Sequence, residues 1–508
     1  MTQKRFKSFK LGAMVSAVAI AVSAFQLVGP ATTVHAATSY YVSTSGSDSN
    51  AGTSTGAAFK TLQKAANTAN AGDTVFVMAG TYNQKLKITK SGTSGSPITF
   101  QNYNNGAVVI EGNSLPVSGR EGLVHMANVS NVKVQGFEIR NFQTSSSGAV
   151  PVGIALEGSG SNIELRNNKV NNIKNTASSS RNAHGISVYG SKSTPWSNIT
   201  IDGNTLSNLV LGSSESLVLN GNVDGFSVTN NIVRDNDNIG IDIIGFEGTA
   251  PSGYDQARNG VIRGNSISNI AVKNNPAYES NCYCAGGIYV DGGKNVVIEQ
   301  NRSFNNDMGI EVASEWQGKS TSNITVRNNL IYNNRYTGIA IGGYDTQRGS
   351  TVDSKIVNNT LYNNDTVGND GGQLLIQFDT RNNIIKNNIM VASSSGILIQ
   401  NQFTQNTGNI VNNNLYYGVN GTSGLKWNWK TSSYTNFSTY KSSTGNDANS
   451  SVTNPLFVNP TSSNFTLGTG SPAINAGSTD TAIIGSNDFA GNARVLGGAV
   501  DIGAYEKQ

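Results

Sequence analysis

A short alternating strand that closes on a polar residue, an asparagine and another apolar residue recurs along this chain. It reads "NIELRNNKV" (162–170), "NITIDGNTL" (198–206), "FSVTNNIV" (226–233), "GVIRGNSI" (260–267) and "NVVIEQNRS" (295–303). It continues as "NITVRNNLI" (323–331), "KIVNNTL" (355–361), "NIIKNNIM" (383–390) and "NIVNNNLYY" (409–417). Aligning the phrases puts Asn168, Asn204, Asn231, Asn265, Asn301, Asn329, Asn359, Asn388 and Asn414 in one column, at steps of 26 to 36 residues. Period-two alternation marks half-buried strands, and self-similarity at this spacing marks a solenoid. Column asparagines can hydrogen-bond to their equivalents above and below inside a tight turn, and asparagine tolerates left-handed backbone. The ladder is therefore structural.

A second phrase lies between the asparagines: "GIALEG" (153–158), "GISVYG" (185–190), "SLVLNG" (216–221), "GIDIIG" (240–245), "GIYVDG" (287–292), "GIEVAS" (309–314), "GIAIGG" (338–343), "QLLIQF" (373–378) and "GILIQN" (396–401). Two or three short strands per coil, stacked in parallel about 4.8 Å apart, predict an all-β fold: a right-handed parallel β-helix solenoid. A propeller or sandwich would show antiparallel hairpin turns instead. "FKTLQKAANTANAGDTVFVMAGTY" (59–82) predicts a short N-terminal capping helix, then a strand, and the repeat fades into an irregular C-terminal cap. The expected organisation is a signal peptide over 1–36, an N-terminal cap and first coils over 37–110, the right-handed parallel β-helix over 111–425 and a C-terminal capping region over 426–508.

The signal reading rests on Lys4, Arg5, Lys7 and Lys10, an apolar run from Leu11 to Val28 and the small-residue site "VHA" at 34–36. No second long apolar run follows, so no transmembrane segment is expected in a chain exported and released outside the cell. The full chain carries 35 Lys+Arg against 31 Asp+Glu. Removing the four basic signal residues leaves no basic excess, which argues against a nucleic-acid partner. Cys282 and Cys284 read as two loop thiols or one small local bridge; without a nearby His or third Cys they are poor zinc ligands.

In the second phrase Ile241 and Ile243, Ile288 and Val290, and Ile310 and Val312 share the core side, so the residues between them point outward. One outward column then reads Ala155, Ser187, Val218, Asp242, Tyr289, Glu311, Ala340, Leu375 and Leu398; the next holds Asp291. Asp242, Asp291 and Glu311 thus fall on three successive coils. Asp242 and Glu311 are expected roughly 9–10 Å apart, with Asp291 roughly 8 Å from either. Like charges this close raise one another's pKa or share a cation. Glu315 joins the catalytic candidates, with Lys294 as base or neutralising charge. Tyr289, Trp316, Glu247, Asp345, Arg348 and His184 are the expected substrate-binding residues. An exposed acid on a β-helix is as often plain surface, as Glu157 is expected to be. His184 also reads as an ordinary turn histidine.

"YYVSTSGSDSNAGT" with "AFKTLQKAANTANAGDTVFVMAGTY", and "SPAINAG" with "DIGAYE" near the C-terminus, resemble secreted right-handed parallel β-helix proteins. The likeness is greatest to pectate lyases of polysaccharide lyase family 9 and their uncharacterised relatives. That resemblance implies a polysaccharide lyase acting by β-elimination on a uronate-containing polymer. A calcium ion would be its cofactor, with Asp242, Asp291 and Glu311 as the ligands. The chain departs from the family's calcium-binding run of type Asp-Asp-Gly-x-Asp: "NDNIGID" (236–242) keeps Gly240, Ile241 and Asp242, with Asn238 and Ile239 at the paired acids. No lysine occupies an outward strand position of the acidic coils. The alternative on residue geometry is an inverting glycoside hydrolase, whose two carboxyls stand roughly 6.5–9.5 Å apart. A non-catalytic glycan-binding surface protein is the third class.

Overall fold

The structure, a computed structural model, describes residues 36–178 and 181–508. Apart from Ala36, the expected signal segment lies outside them. Each coil contributes one strand to each of three long sheets. The first sheet runs from Ser39–Val42 to Ile410–Asn412, the second from Gly80–Tyr82 to Ser451–Val452, and the third from Leu86–Ile88 to Ser432–Tyr434. Strand pairs along them are parallel, except that Lys426–Trp429 meets Ser432–Tyr434 antiparallel. Stacked strands therefore continue past residue 425. No helix among the described residues is long and apolar enough to cross a membrane.

The core is a set of columns. In the third sheet Ile186, Leu217, Ile241, Ile288, Ile310, Ile339 and Leu374 stack in register and are fully buried. Each such side chain contributes about 1.5–3 kcal/mol by leaving water. The glycine that opens the phrase is required by close approach. A Cβ on Gly240 would lie 2.4 Å from the Gly287 carbonyl oxygen, and one on Gly309 2.3 Å from that of Gly338. The last coil departs from the aligned phrases. Gln400, two residues on from Leu398, stands opposite Leu375, because the register shifts between Ile397 and Ile399 and Leu398 turns into the core.

The asparagine column forms as expected, and its two tasks fall to different residues. Asn204 Oδ1 accepts from the backbone N–H and Nδ2 of Asn168 at 2.9 and 3.1 Å, while Asn204 Nδ2 donates to the Leu165 carbonyl at 2.9 Å. The pattern repeats up to Asn414, whose N–H ends on Ser450 Oγ at 2.8 Å. The left-handed turn belongs to the preceding residue, as at Asn167 (φ 52°), Gly203 (φ 68°) and Gln300 (φ 58°). A second ladder, Asn306–Asn334–Asn364–Gln373, buttresses the turn between second and third sheets. This turn feeds the strands that carry the acids.

The N-terminal helix, Leu62–Thr68, buries Leu62, Ala65 and Ala66 against the first coil. Thr61 caps it, accepting from the Lys64 N–H at 3.1 Å. Thr61→Ala is expected to cost about 1 kcal/mol in chemical denaturation. The C-terminal region divides in two. Phe437–Thr444 closes the solenoid end through Tyr440, stacked on Trp427. The remainder does not cap an end. It runs back along the outside of the solenoid, where Phe465 packs on Tyr332 and Tyr362 of the second sheet, and Ile484 and Val500 on Val357 of the first. Buried Arg494 holds this flank together by donating to the carbonyls of Asp501, Gly503 and Ala504.

Candidate functional site

The acids sit on three consecutive strands of the third sheet: Ile241–Ile244, Gly286–Asp291 and Met308–Ala313. Register places Asp242 beside Tyr289 and Tyr289 beside Glu311, with Val218 below and Ala340 above. Asp291 stands two residues along on the middle strand, opposite Ala313. The outward alternation is thus as expected from the phrases, but the side chains are not open to solvent. Asp242 is 2% exposed, Tyr289 4%, Glu311 6% and Asp291 7%.

The cover comes from loops entering the third sheet. Asn275 Nδ2 donates to the carbonyls of Gly212 and Asp237, tying down the segment after Ile270. Tyr278 on that segment meets Asn238 at 3.4 Å and faces Glu215 and Glu315 closely enough for their charge to raise its phenol pKa, behind the larger effect of burial. Cys282 and Cys284, bonded to one another, lie on the same loop. Tyr336 likewise senses Asp365 and Glu311.

Burial sets the protonation. It pushes the Asp242 carboxyl well above the usual range, and the charges of Glu215, Asp291 and Glu315 push it further. One carboxyl oxygen, Asp242 Oδ1, is buried with no hydrogen-bond partner. Glu311 is raised by burial, then by Glu315 and Asp291. Asp291 is also raised by burial and by Glu315, but its anion has support: Oδ1 accepts from the Glu315 N–H at 2.7 Å, and Arg348 pulls the other way. Glu315 is exposed at the mouth; its carboxyl is still raised, against the pull of Arg348. A buried carboxyl without a counter-ion keeps its proton at neutral pH rather than pay desolvation. Burial therefore favours the protonated form at Asp242 and Glu311, while the Glu315 N–H and Arg348 favour the anion at Asp291.

Glu215 belongs to this cluster and was absent from the sequence reading. It is buried and raised by burial and by Glu247. Its carboxyl lies 3.5 Å from His184 Nδ1, and that nitrogen also contacts the Glu215 carbonyl at 3.2 Å. Burial pulls His184 down to about 3, so its ring is neutral. A signal existed: Glu215 precedes "SLVLNG" as His184 precedes "GISVYG", one coil apart at one position of the phrase.

Around the mouth, Glu247 accepts from Asn220 Nδ2. The Arg348 guanidinium lies over the Tyr344 ring at 4.5 Å, and Trp316 is 43% exposed. Asp345 closes a local turn by accepting from Gln347 N–H at 2.7 Å, at the rim. Lys294 is not among these residues. It opens the strand Lys294–Glu299 of the first sheet, around the corner from the acids, and is exposed. The expected calcium set does not form a cage, because Tyr289 stands between Asp242 and Glu311 in their column. Among the described residues, no three His, Cys, Asp or Glu side chains converge as metal ligands.

The family described as "Pel9A-like, right handed beta helix region" matches residues 40–240, and "Right handed beta helix region" matches residues 215–360, which contain the acid coils. The chain is 46% identical to the uncharacterized protein YwoF of Bacillus subtilis over 434 residues, covering 85% of this chain and 91% of that one. It is 41% identical to pectate lyase PEL9 of Emericella nidulans over 78 residues, 15% of this chain and 19% of that one. The crystal structure of pectate lyase Pel9A superposes with a TM-score of 0.50 at 18% identity, covering 94% of this chain and 98% of that one, a likeness of fold. The chain belongs to the Pel9A-like family of right-handed β-helix proteins.

Proposed function

We propose that this protein is an exported enzyme that cleaves a polysaccharide, and that the acid face hydrolyses a glycosidic bond with inversion. The observation that carries this reading is Asp242: a buried carboxyl, raised by that burial, with an unpartnered oxygen, one coil from Asp291. Asp242 is the general acid that protonates the leaving oxygen. Asp291, the acid whose anion is held by a backbone N–H and Arg348, is the base that activates water. Their separation, roughly 8 Å from one coil step and two residues, suits a water between base and sugar. Raised and supported carboxyls in one site are how a single cleft runs acid and base chemistry together. Glu311 and Glu215 bind sugar hydroxyls, and the Glu215 charge adds to the burial that raises the Asp242 carboxyl. Trp316 and Tyr344 offer flat faces for sugar rings at the mouth.

Family membership and the PEL9 match favour a second reading, β-elimination on a uronate polymer. That chemistry needs the substrate carboxylate neutralised and a base for the C5 proton. Arg348 and the buried carboxyls, raised by that burial, supply the first; Tyr289 is the base candidate within the face. The deciding experiment incubates the protein with uronate and neutral polysaccharides, with and without EDTA. Hydrolysis is expected: new reducing ends without the ultraviolet absorbance of an unsaturated uronate, unchanged by EDTA. Unsaturated product would establish elimination, EDTA-sensitive product would establish a cation role, and glycan binding without any cleavage would overturn both enzymatic readings.

A further inference from the structure

We propose that the first coils carry a second glycan site, a groove that holds a neutral polysaccharide strand away from the acid face. The groove, of about 640 Å³, opens between the first and second sheets; the acids belong to the third. Its wall is an outward column in register, Tyr41–Phe76–Gln101–Gln135. Four rungs at the stacking interval span about 14 Å along the solenoid axis.

The aromatic end is built, not incidental. Tyr41 stacks on Phe76 at 5.6 Å, and Tyr103 meets both rings edge-on at 5.5 and 5.8 Å. Phe76 is thereby held with part of its surface toward the groove, half-buried. A supported flat ring accepts the C–H face of a sugar while the polar groups around it stay wet.

The rest of the lining is amide. Gln135 Nε2 donates to Gln101 Oε1, which leaves the Gln101 amide hydrogens and Gln135 Oε1 for a ligand. A primary amide both donates and accepts, as a sugar hydroxyl does. Asn102 packs on Gly136, where φ is 78° and a Cβ would come 2.3 Å from the Asn102 side-chain oxygen, so glycine is what lets this amide sit in the lining. Charge is nearly absent: Glu138 is paired with Arg140 at 2.9 Å, and Lys169 stands at the edge. An acidic polymer would find one cation here; a neutral, hydroxyl-rich chain finds amides and a ring. A polymer held at this groove and at the acid face gains effective concentration at the second contact once the first is made.

Affinity electrophoresis tests this with the full chain through gels containing xylan, galactan, galactomannan or hydroxyethylcellulose, with polygalacturonate as the acidic comparison. At least one neutral polymer is expected to retard the protein, and to do so equally when Asp242→Asn and Glu311→Gln remove turnover. Gln101→Ala with Gln135→Ala should weaken that retardation about tenfold, as should Phe76→Ala. The two glutamines face solvent, so their exchange leaves the fold in place even if Phe76→Ala does not. Absence of retardation by every neutral polymer, retention of full retardation in the glutamine pair, or loss only in the Asp242/Glu311 variant would each overturn the groove. The last outcome would leave the acid face as the binding site and its reading intact.

Discussion

Asp242→Asn is expected to lower turnover by about 10²–10⁴-fold, the usual range for removing a general acid, and adding Glu311→Gln should remove what remains. The same substitutions should leave the fold intact or stabilise it at neutral pH. Both side chains are buried, and that burial raises their carboxyls in the folded chain, whereas in the unfolded chain they ionise in the ordinary carboxylate range, about 3.9 for Asp and 4.3 for Glu. Below that range both states are protonated and the groups cost nothing. As pH rises through it, the unfolded chain releases protons that the folded chain keeps, so stability falls. An amide cannot ionise and removes that loss. Thermal unfolding of wild type and double variant should coincide at about pH 3.5 and diverge at about pH 7, with the variant higher. A variant that melts well below wild type at neutral pH would mean these carboxyls hold the structure together. Full turnover in the double variant would place the chemistry elsewhere.

The largest loss of stability is expected from the ladder. Asn301 Oδ1 accepts from the backbone N–H and Nδ2 of Asn265, both at 2.9 Å, and Asn301 Nδ2 donates to the Ile262 carbonyl at 2.9 Å. Asn301→Leu strips a partner from all three groups; Asn265 Nδ2 keeps the Val228 carbonyl at 2.9 Å, and because Asn301 is fully buried water cannot replace the partners of the other two. At about 1–3 kcal/mol for each of the two groups left unsatisfied, the cost is about 2–6 kcal/mol, a large part of what a folded chain has to spare. Guanidinium denaturation should show it as a lowered midpoint, and amide exchange should locate the opening in the coils holding Asn265 and Asn329. A shift under 1 kcal/mol would mean the ladder is redundant with strand pairing. The neighbouring Gln300, at φ 58°, carries the turn conformation without the ladder's bonds, so the two positions separate backbone strain from hydrogen bonding.

Most of the solenoid was legible because its rules are local. Alternation tells Ile241 and Ile243 from Asp242, and the recurrence of the asparagine tells where each coil turns. The alignment failed at the last coil, where Leu398 abandons the outward column for the core. Composition could not signal that, since a leucine suits either side. The second ladder went unread because Asn306, Asn334 and Asn364 sit in loops of varying length, with no strand pattern to align them.

The acid face divides the same way. Register along stacked strands brought Asp242, Tyr289 and Glu311 into one column directly from their phrases. Alternation places these acids outward but does not say whether they meet solvent or a covered groove. The loop carrying Tyr278 and the turn carrying Tyr336 lie over the strands, and burial of the carboxyls raises them above the ordinary range. Lys294 is two residues past Gly292 in sequence but on another sheet, since the chain turns a corner between them.

The amino-acid sequence by itself therefore determined the coil, its register and the neighbours each strand residue has above and below, because those contacts repeat at a nearly constant step. Only the tertiary structure decided which acids are shut away from water, that Glu215 joins them, and that the C-terminal segment lies along the first and second sheets. Such contacts join stretches far apart in the chain with no period between them, so no local pattern encodes them.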